Sequence, residues 1–118
     1  SPPPSRRSGA AEGCLILGKA AAPAEKAMHK LLSDPHSAIR VAAAQSLVAI
    51  GQKEFGTKSL LAEMEKGLDE YSEQNVINAL TTLNALDDIP DSWVKRTLND
   101  PKAGQYLKRL AKRLKKDR

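Results

Sequence analysis

Residues 31–51 read LLSDPHSAIRVAAAQSLVAIG, and they decide how the rest of the chain is read. Ser33-Asp34-Pro35 interrupts two apolar periodic runs. An Asp carboxylate accepts backbone N–H bonds at a helix start, and Pro in the first helical turn gives up no needed donor. The triplet therefore predicts the end of one helix and the start of the next. After it, Ile39, Ala43, Leu47 and Ile50 recur on one helical stripe, and Gly51 supplies the residue favoured just past a helix end. Before it, AEKAMHKLL (residues 24–32) places Ala24, Ala27, Met28, Leu31 and Leu32 at i, i+3, i+4, i+7 and i+8, again one face of a helix. The unit is two helices joined by a tight turn.

Working outward, the unit recurs. TKSLLAEMEKGL (57–68) is amphipathic through Leu60, Leu61, Met64 and Leu68, and a polar turn separates it from NVINALTTLNALDD (75–88), with Val76, Ala79, Leu80, Leu83 and Leu86 inward. Leu32, Ala43, Leu47 and Ile50 align with Leu68, Ala79, Leu83 and Leu86 at a constant offset of 36. A third copy starts at Pro90, passes DSWVKRTL and a second Asp-Pro turn at Asp100-Pro101, and ends in AGQYLKRLAKRLKK (103–116). Helix pairs repeating every 30 to 40 residues are the signature of an α-solenoid, in which each unit buries its face against its neighbours. The expected fold is all-α: a right-handed α-solenoid of about three antiparallel helix pairs. Residues 1–9, SPPPSRRSG, read as a disordered linker, and 10–118 as the repeat domain. AAEGCLIL (10–17) reads as the tail of an upstream helix, so the sequence is expected to be a piece of a longer chain.

Composition agrees with this class. Hydrophobic residues make up 41% but aromatics only 3%, so the core must come from aliphatic side chains on closely packed helices. No apolar run approaches the roughly 20 residues of a membrane span, and no membrane insertion is expected. A single cysteine, Cys14, excludes an internal disulfide, and beside Leu15, Ile16 and Leu17 it reads as a small buried hydrophobe. The net charge of +5 is unevenly spread. Residues 1–93 hold 9 Lys and Arg against 12 Asp and Glu, whereas 94–118 hold 10 against 2. The basic excess therefore belongs to the last quarter alone.

The run 31–51 resembles a HEAT repeat of the short bacterial type: a Leu-rich helix, an Asp-containing turn, an Ile-Arg pair and an Ala-rich helix closed by Gly. The order LGKAAAPAEKAMHKLLSDPHSAIR, NALTTLNALDD, YLKRLAKRLKK further resembles the HEAT-like extension at the C-terminal end of some bacterial sulfatases. The resemblance implies a non-catalytic module whose partner is a parent catalytic domain or another protein, and a periplasmic or extracellular parent if it is a sulfatase. Sulfatases use a Cys/Ser-x-Pro-Ser-Arg motif and a divalent cation. Pro4-Ser5-Arg6 matches only its end, with Pro2 at the nucleophile position. HEAT-type hydroxylases hold iron with His-Glu pairs, whereas here Lys30 follows His29 and Ser37 follows His36. His29 is expected to be solvated and His36 to cap the turn. No catalytic residue, metal site or cofactor is expected. The family's Arg commonly pairs with a turn Asp, which gives Arg40 and Asp34 a structural role.

Trp93, with Val94 and Leu98, is expected in the core. In the last helix Ala103, Leu107, Leu110 and Leu114 form the inner stripe, while Lys108, Arg109, Lys112, Arg113, Lys115 and Lys116 cover the remainder. That face is either the polar end cap a solenoid requires or a patch for phosphate, sulfated polysaccharide or an acidic protein. Arg40, Gln45, Asn78, Thr81, Lys108 and Lys112 fall between the apolar stripes on the second helices, and they are the expected partner surface. A nucleic-acid-binding solenoid and a free-standing scaffold are the alternatives. The former expects cations on several successive inner helices, and Gln74, Asn78, Thr81, Thr82 and Asn84 offer none.

Overall fold

The computed structural model describes residues 24–118, all helix and turn. Six α-helices follow one another: α1 Glu25–Leu31, α2 Ser37–Ala49, α3 Lys53–Glu63, α4 Glu70–Thr82, α5 Asp91–Asn99 and α6 Gln105–Asp117, with a short 3-10 turn at Leu86–Asp88. The described residues contain no strand. The linker expected at 1–9, the helix tail at 10–17 and Cys14 lie outside the described residues.

Each helix packs on its successor in the pairs α1 with α2, α3 with α4 and α5 with α6, and α2 also packs extensively on α3. In addition α2 contacts α4, and α4 contacts α6, so the second helices form a row. The expected stripes account for this packing. Ile39, Ala43, Leu47 and Ile50 are all buried, as are Leu60, Met64, Val76, Leu80, Leu107, Leu110 and Leu114. Ala27, assigned to the α1 stripe, is instead exposed; Met28 carries that face. A fully buried Leu such as Leu47, Leu60 or Leu80 contributes roughly 1.5–3 kcal/mol by leaving water.

Helix ends follow local chemistry. α2 closes with Gly51 at φ 110°, its N–H bonded to the Val48 carbonyl while Gln52 N–H reaches Leu47 O at 2.8 Å. α4 closes identically at Asn84, φ 55°, with Ala85 N–H on Leu80 O at 2.9 Å. These are left-handed caps that satisfy the last carbonyls, and they lie 33 residues apart. The structural repeat between the first two pairs is therefore 33 rather than 36, matching buried Ala43 and Leu47 with buried Val76 and Leu80.

Two helix starts also differ from expectation. α3 begins at Lys53 rather than residue 57, running through Gly56, where a Cβ would stand 2.5 Å from Val48 Cγ2 and 2.8 Å from the Ala44 carbonyl. The glycine marks close approach of α3 to α2, not a break. α4 begins at Glu70 rather than residue 75, because Asp69 caps it by accepting Ser72 N–H at 2.7 Å. At the two Asp-Pro turns the carboxylates act two residues on: Asp34 Oδ1 accepts His36 N–H and Asp100 Oδ1 accepts Lys102 N–H, both at 2.9 Å. Asp34 thus shapes the turn, and His36 occupies the cap position of α2.

Candidate functional site

The N-terminal ends of α2, α4 and α6 lie side by side, joined by side chains about one repeat apart. Ser37 at the start of α2 donates to Asp69 Oδ2 at 3.2 Å and lies 2.9 Å from the Ser72 hydroxyl at the start of α4. From α4, Glu70 accepts from Gln105, and buried Glu73 accepts the Leu107 backbone N–H at 3.2 Å, both at the start of α6. α6 has Gly104 at its cap position and no side-chain cap of its own. A Cβ on Gly104 would fall on the Glu73 carboxylate, so the glycine makes room for a cap delivered from the neighbouring pair. The positive end of a helix dipole suits that carboxylate.

Two acids in this seam titrate in opposite directions. Asp69 is held below the ordinary range, chiefly by the Ser72 backbone N–H, which outweighs burial. Glu73 is pushed up by burial, with the negative charges of Glu70 and Asp69 adding to it and the Leu107 N–H opposing. A raised folded-state value favours the protonated form. Glu73 therefore stabilises the fold below its unfolded value, and that contribution is lost as pH rises through the folded value. Asp69 behaves in reverse, its contribution disappearing as pH falls into the acid range. Glu73→Gln keeps an acceptor for Leu107 N–H without the buried charge, so it should flatten the loss of stability on going from mildly acidic to neutral pH. Denaturant unfolding at a series of pH values measures this; an unaltered pH profile would refute the assignment to Glu73.

Of the expected partner surface, Gln45 on α2, Asn78 on α4 and Lys112 on α6 occupy corresponding positions on the three second helices, 33 and 34 residues apart. Gln45 and Asn78 flank one shallow groove of about 280 Å³ whose apolar lining includes Val48, Leu60, Ala79 and Leu83. Thr81 is exposed, but its hydroxyl donates to the Ile77 carbonyl at 2.7 Å. Lys108 is half-buried and Lys112 exposed. Neither of them, nor Arg113, Lys115 or Lys116, forms an ion pair with another described residue. Arg109 lies over the Tyr106 ring at 5.8 Å.

Arg40 does not belong on that surface. Its side chain is 13% exposed, with Nε donating to Glu63 Oε1 at 2.9 Å and Nη1 to the carbonyls of Asp34 and Pro35. Arg40 does order the turn, but through the Asp34 backbone, and its carboxylate partner is Glu63 on α3 rather than the Asp34 side chain. Glu63, 4% exposed at its side chain, also receives Lys66 Nζ at 2.8 Å. Glu63 and Glu73 were missed in the sequence, although each leaves a signal there: a carboxylate falling in step with an apolar stripe, beside Leu60 and Met64 or before Val76 and Leu80.

No family model, curated protein or solved structure matches this chain. The chemistry must be argued from its own residues. Among the described residues no three His, Cys, Asp or Glu side chains are grouped so as to hold a metal ion, and no helix is long and apolar enough to cross a membrane. His29 is half-buried rather than solvated: Nε2 lies 3.0 Å from Gln52 Oε1, and its ring meets Phe55 edge-on at 4.8 Å. His36 is capped rather than capping, its N–H held by Asp34.

Proposed function

We propose that the chain is a non-catalytic HEAT-type module of three helix pairs that packs on a partner protein through its row of second helices. By resemblance the parent is a larger bacterial enzyme, a sulfatase, and this segment is its C-terminal extension. The observation that carries the reading is the row α2, α4, α6, whose N-terminal ends are stitched from pair to pair by Ser37 with Asp69 and by Glu73 with the Leu107 amide. Repeats whose faces are buried only by neighbours need such junctions, and their second helices form a continuous binding surface. Gln45, Asn78 and Lys112 are the residues assigned to contact, with Lys108 and Lys112 attracting an acidic protein or a sulfated polymer at the basic end.

Lys108→Glu combined with Lys112→Glu tests this. Retention on heparin and affinity for an acidic protein partner should fall, with a flatter salt dependence, since long-range attraction between exposed charges is screened beyond about 8 Å at physiological ionic strength. Stability should move by about 0.5 kcal/mol or less. Retained affinity at both low and high salt would reduce α6 to a solvated end cap.

A further inference from the structure

A second surface lies away from the row of second helices, where α5 and α6 meet at the end of the described fold. A groove of about 480 Å³ runs between them, large enough for one or two peptide side chains. Val94 and Leu98 of α5 supply its apolar lining. Lys95 from α5 and Lys115 from α6 line it as well, and neither pairs with a carboxylate among the described residues. Asp91, the acid lining this groove, is neutralised by Arg118, whose Nη1 lies 2.7 Å from Asp91 Oδ1 while Nη2 donates to the Leu86 carbonyl. The groove thus pairs an apolar surface with uncompensated positive charge contributed by two helices.

We propose that this groove takes an acidic, Leu-containing peptide segment of a partner protein, its apolar side chain against Val94 and Leu98 and its carboxylates on Lys95 and Lys115. Charge selects this occupant. The surrounding stretch 94–118 carries 10 cations against 2 acids, whereas residues 1–23 of this chain, with Arg6, Arg7 and Lys19 against Glu12, carry the wrong sign to cover it. The apolar lining distinguishes the groove from the outer face of α6, which offers charge without an anchor: Leu107, Leu110 and Leu114 there are spent in the core. A partner that uses both features gains specificity that a bare polyanion lacks. The inference depends neither on a sulfatase parent nor on binding at α2 and α4.

Fluorescence anisotropy with a labelled peptide of repeating Glu-Glu-Leu-Leu units, against an all-Glu peptide of equal charge, reads the proposal directly. The Leu-containing peptide should bind at least about tenfold more tightly at physiological salt. Lys95→Glu with Lys115→Glu should weaken it by about tenfold or more, and Leu98→Ala by about threefold, with circular dichroism unchanged. Lys108→Glu with Lys112→Glu should alter it by less than about threefold, because screening limits charges outside the groove. Equal binding of the all-Glu peptide, equal losses from both lysine pairs, or no loss from Lys95 and Lys115 would each overturn the proposal. Concentration-dependent self-association blocked by Lys95→Glu, without peptide binding, would assign the groove to a second copy and overturn it too.

Discussion

Trp93→Ala should lower the unfolding free energy by about 3–5 kcal/mol, the range for emptying a buried aromatic site. Trp93 is 3% exposed and reaches from α5 back to the end of α3, where its indole N–H donates to the Met64 carbonyl at 2.9 Å. Met64 is the C-terminal cap residue of α3, so the indole satisfies one of the carbonyls a helix end leaves without an intrahelical donor. Truncation removes the ring from the main core, where it packs with Leu60, Val76 and Leu107 among others, and orphans that carbonyl. Against a total stability of about 5–15 kcal/mol this is a large fraction. Trp93 is the only tryptophan, so helical circular dichroism under denaturant is the measurement to use. Trp93→Phe, which keeps an aromatic ring but not the donor, should cost less than alanine. A loss below about 1 kcal/mol for alanine would show that the third pair does not lean on this contact.

Glu63→Ala and Arg40→Ala should each cost about 3–5 kcal/mol, because each leaves a largely buried charge without its main partner. The pair joins α2 to α3 at 2.9 Å, with side chains 13% and 4% exposed. Removing both together should cost much less than the sum of the single losses, since the second deletion no longer strands a charge. Replacing the pair by Met at 40 and Leu at 63 should be near neutral, as often found for buried ion pairs exchanged for apolar groups. A double-mutant cycle from urea unfolding measures the coupling. A coupling below about 0.5 kcal/mol would mean that Arg40 is held by the Asp34 and Pro35 carbonyls alone.

The repeat was legible in the sequence while its register was not, and the reason is geometric. An offset of 36 in place of 33 is a slip of three residues, close to one helical turn of 3.6. Such a slip returns each apolar residue to the same face, so Leu47 aligns as well with Leu83 as with Leu80. Only the cap geometry at Gly51 and Asn84 separates the two registers. The helix starts failed for a related reason. Glu70, Ser72 and Glu73 look like a polar turn, yet Ser72 and Glu73 are buried because Ser37 and the α6 amides stand ready to bond them.

By itself the sequence determined the helical class, the apolar stripes at Ile39, Leu47, Leu60 and Leu80, the two Asp-Pro turns, the core position of Trp93 and the concentration of positive charge in the last helix. Each of these follows from interactions within about two helical turns, where residue type and spacing carry the physics. Tertiary structure alone decided that Arg40 pairs with Glu63 instead of facing a partner, that Glu73 caps α6 over Gly104, that Gly56 lets α3 approach α2, and that Lys95 and Lys115 share one groove. Those outcomes depend on partners from elsewhere in the fold, 34 residues away for Glu73 and the Leu107 amide. A polar side chain's burial is set by whether such a distant partner arrives to satisfy it.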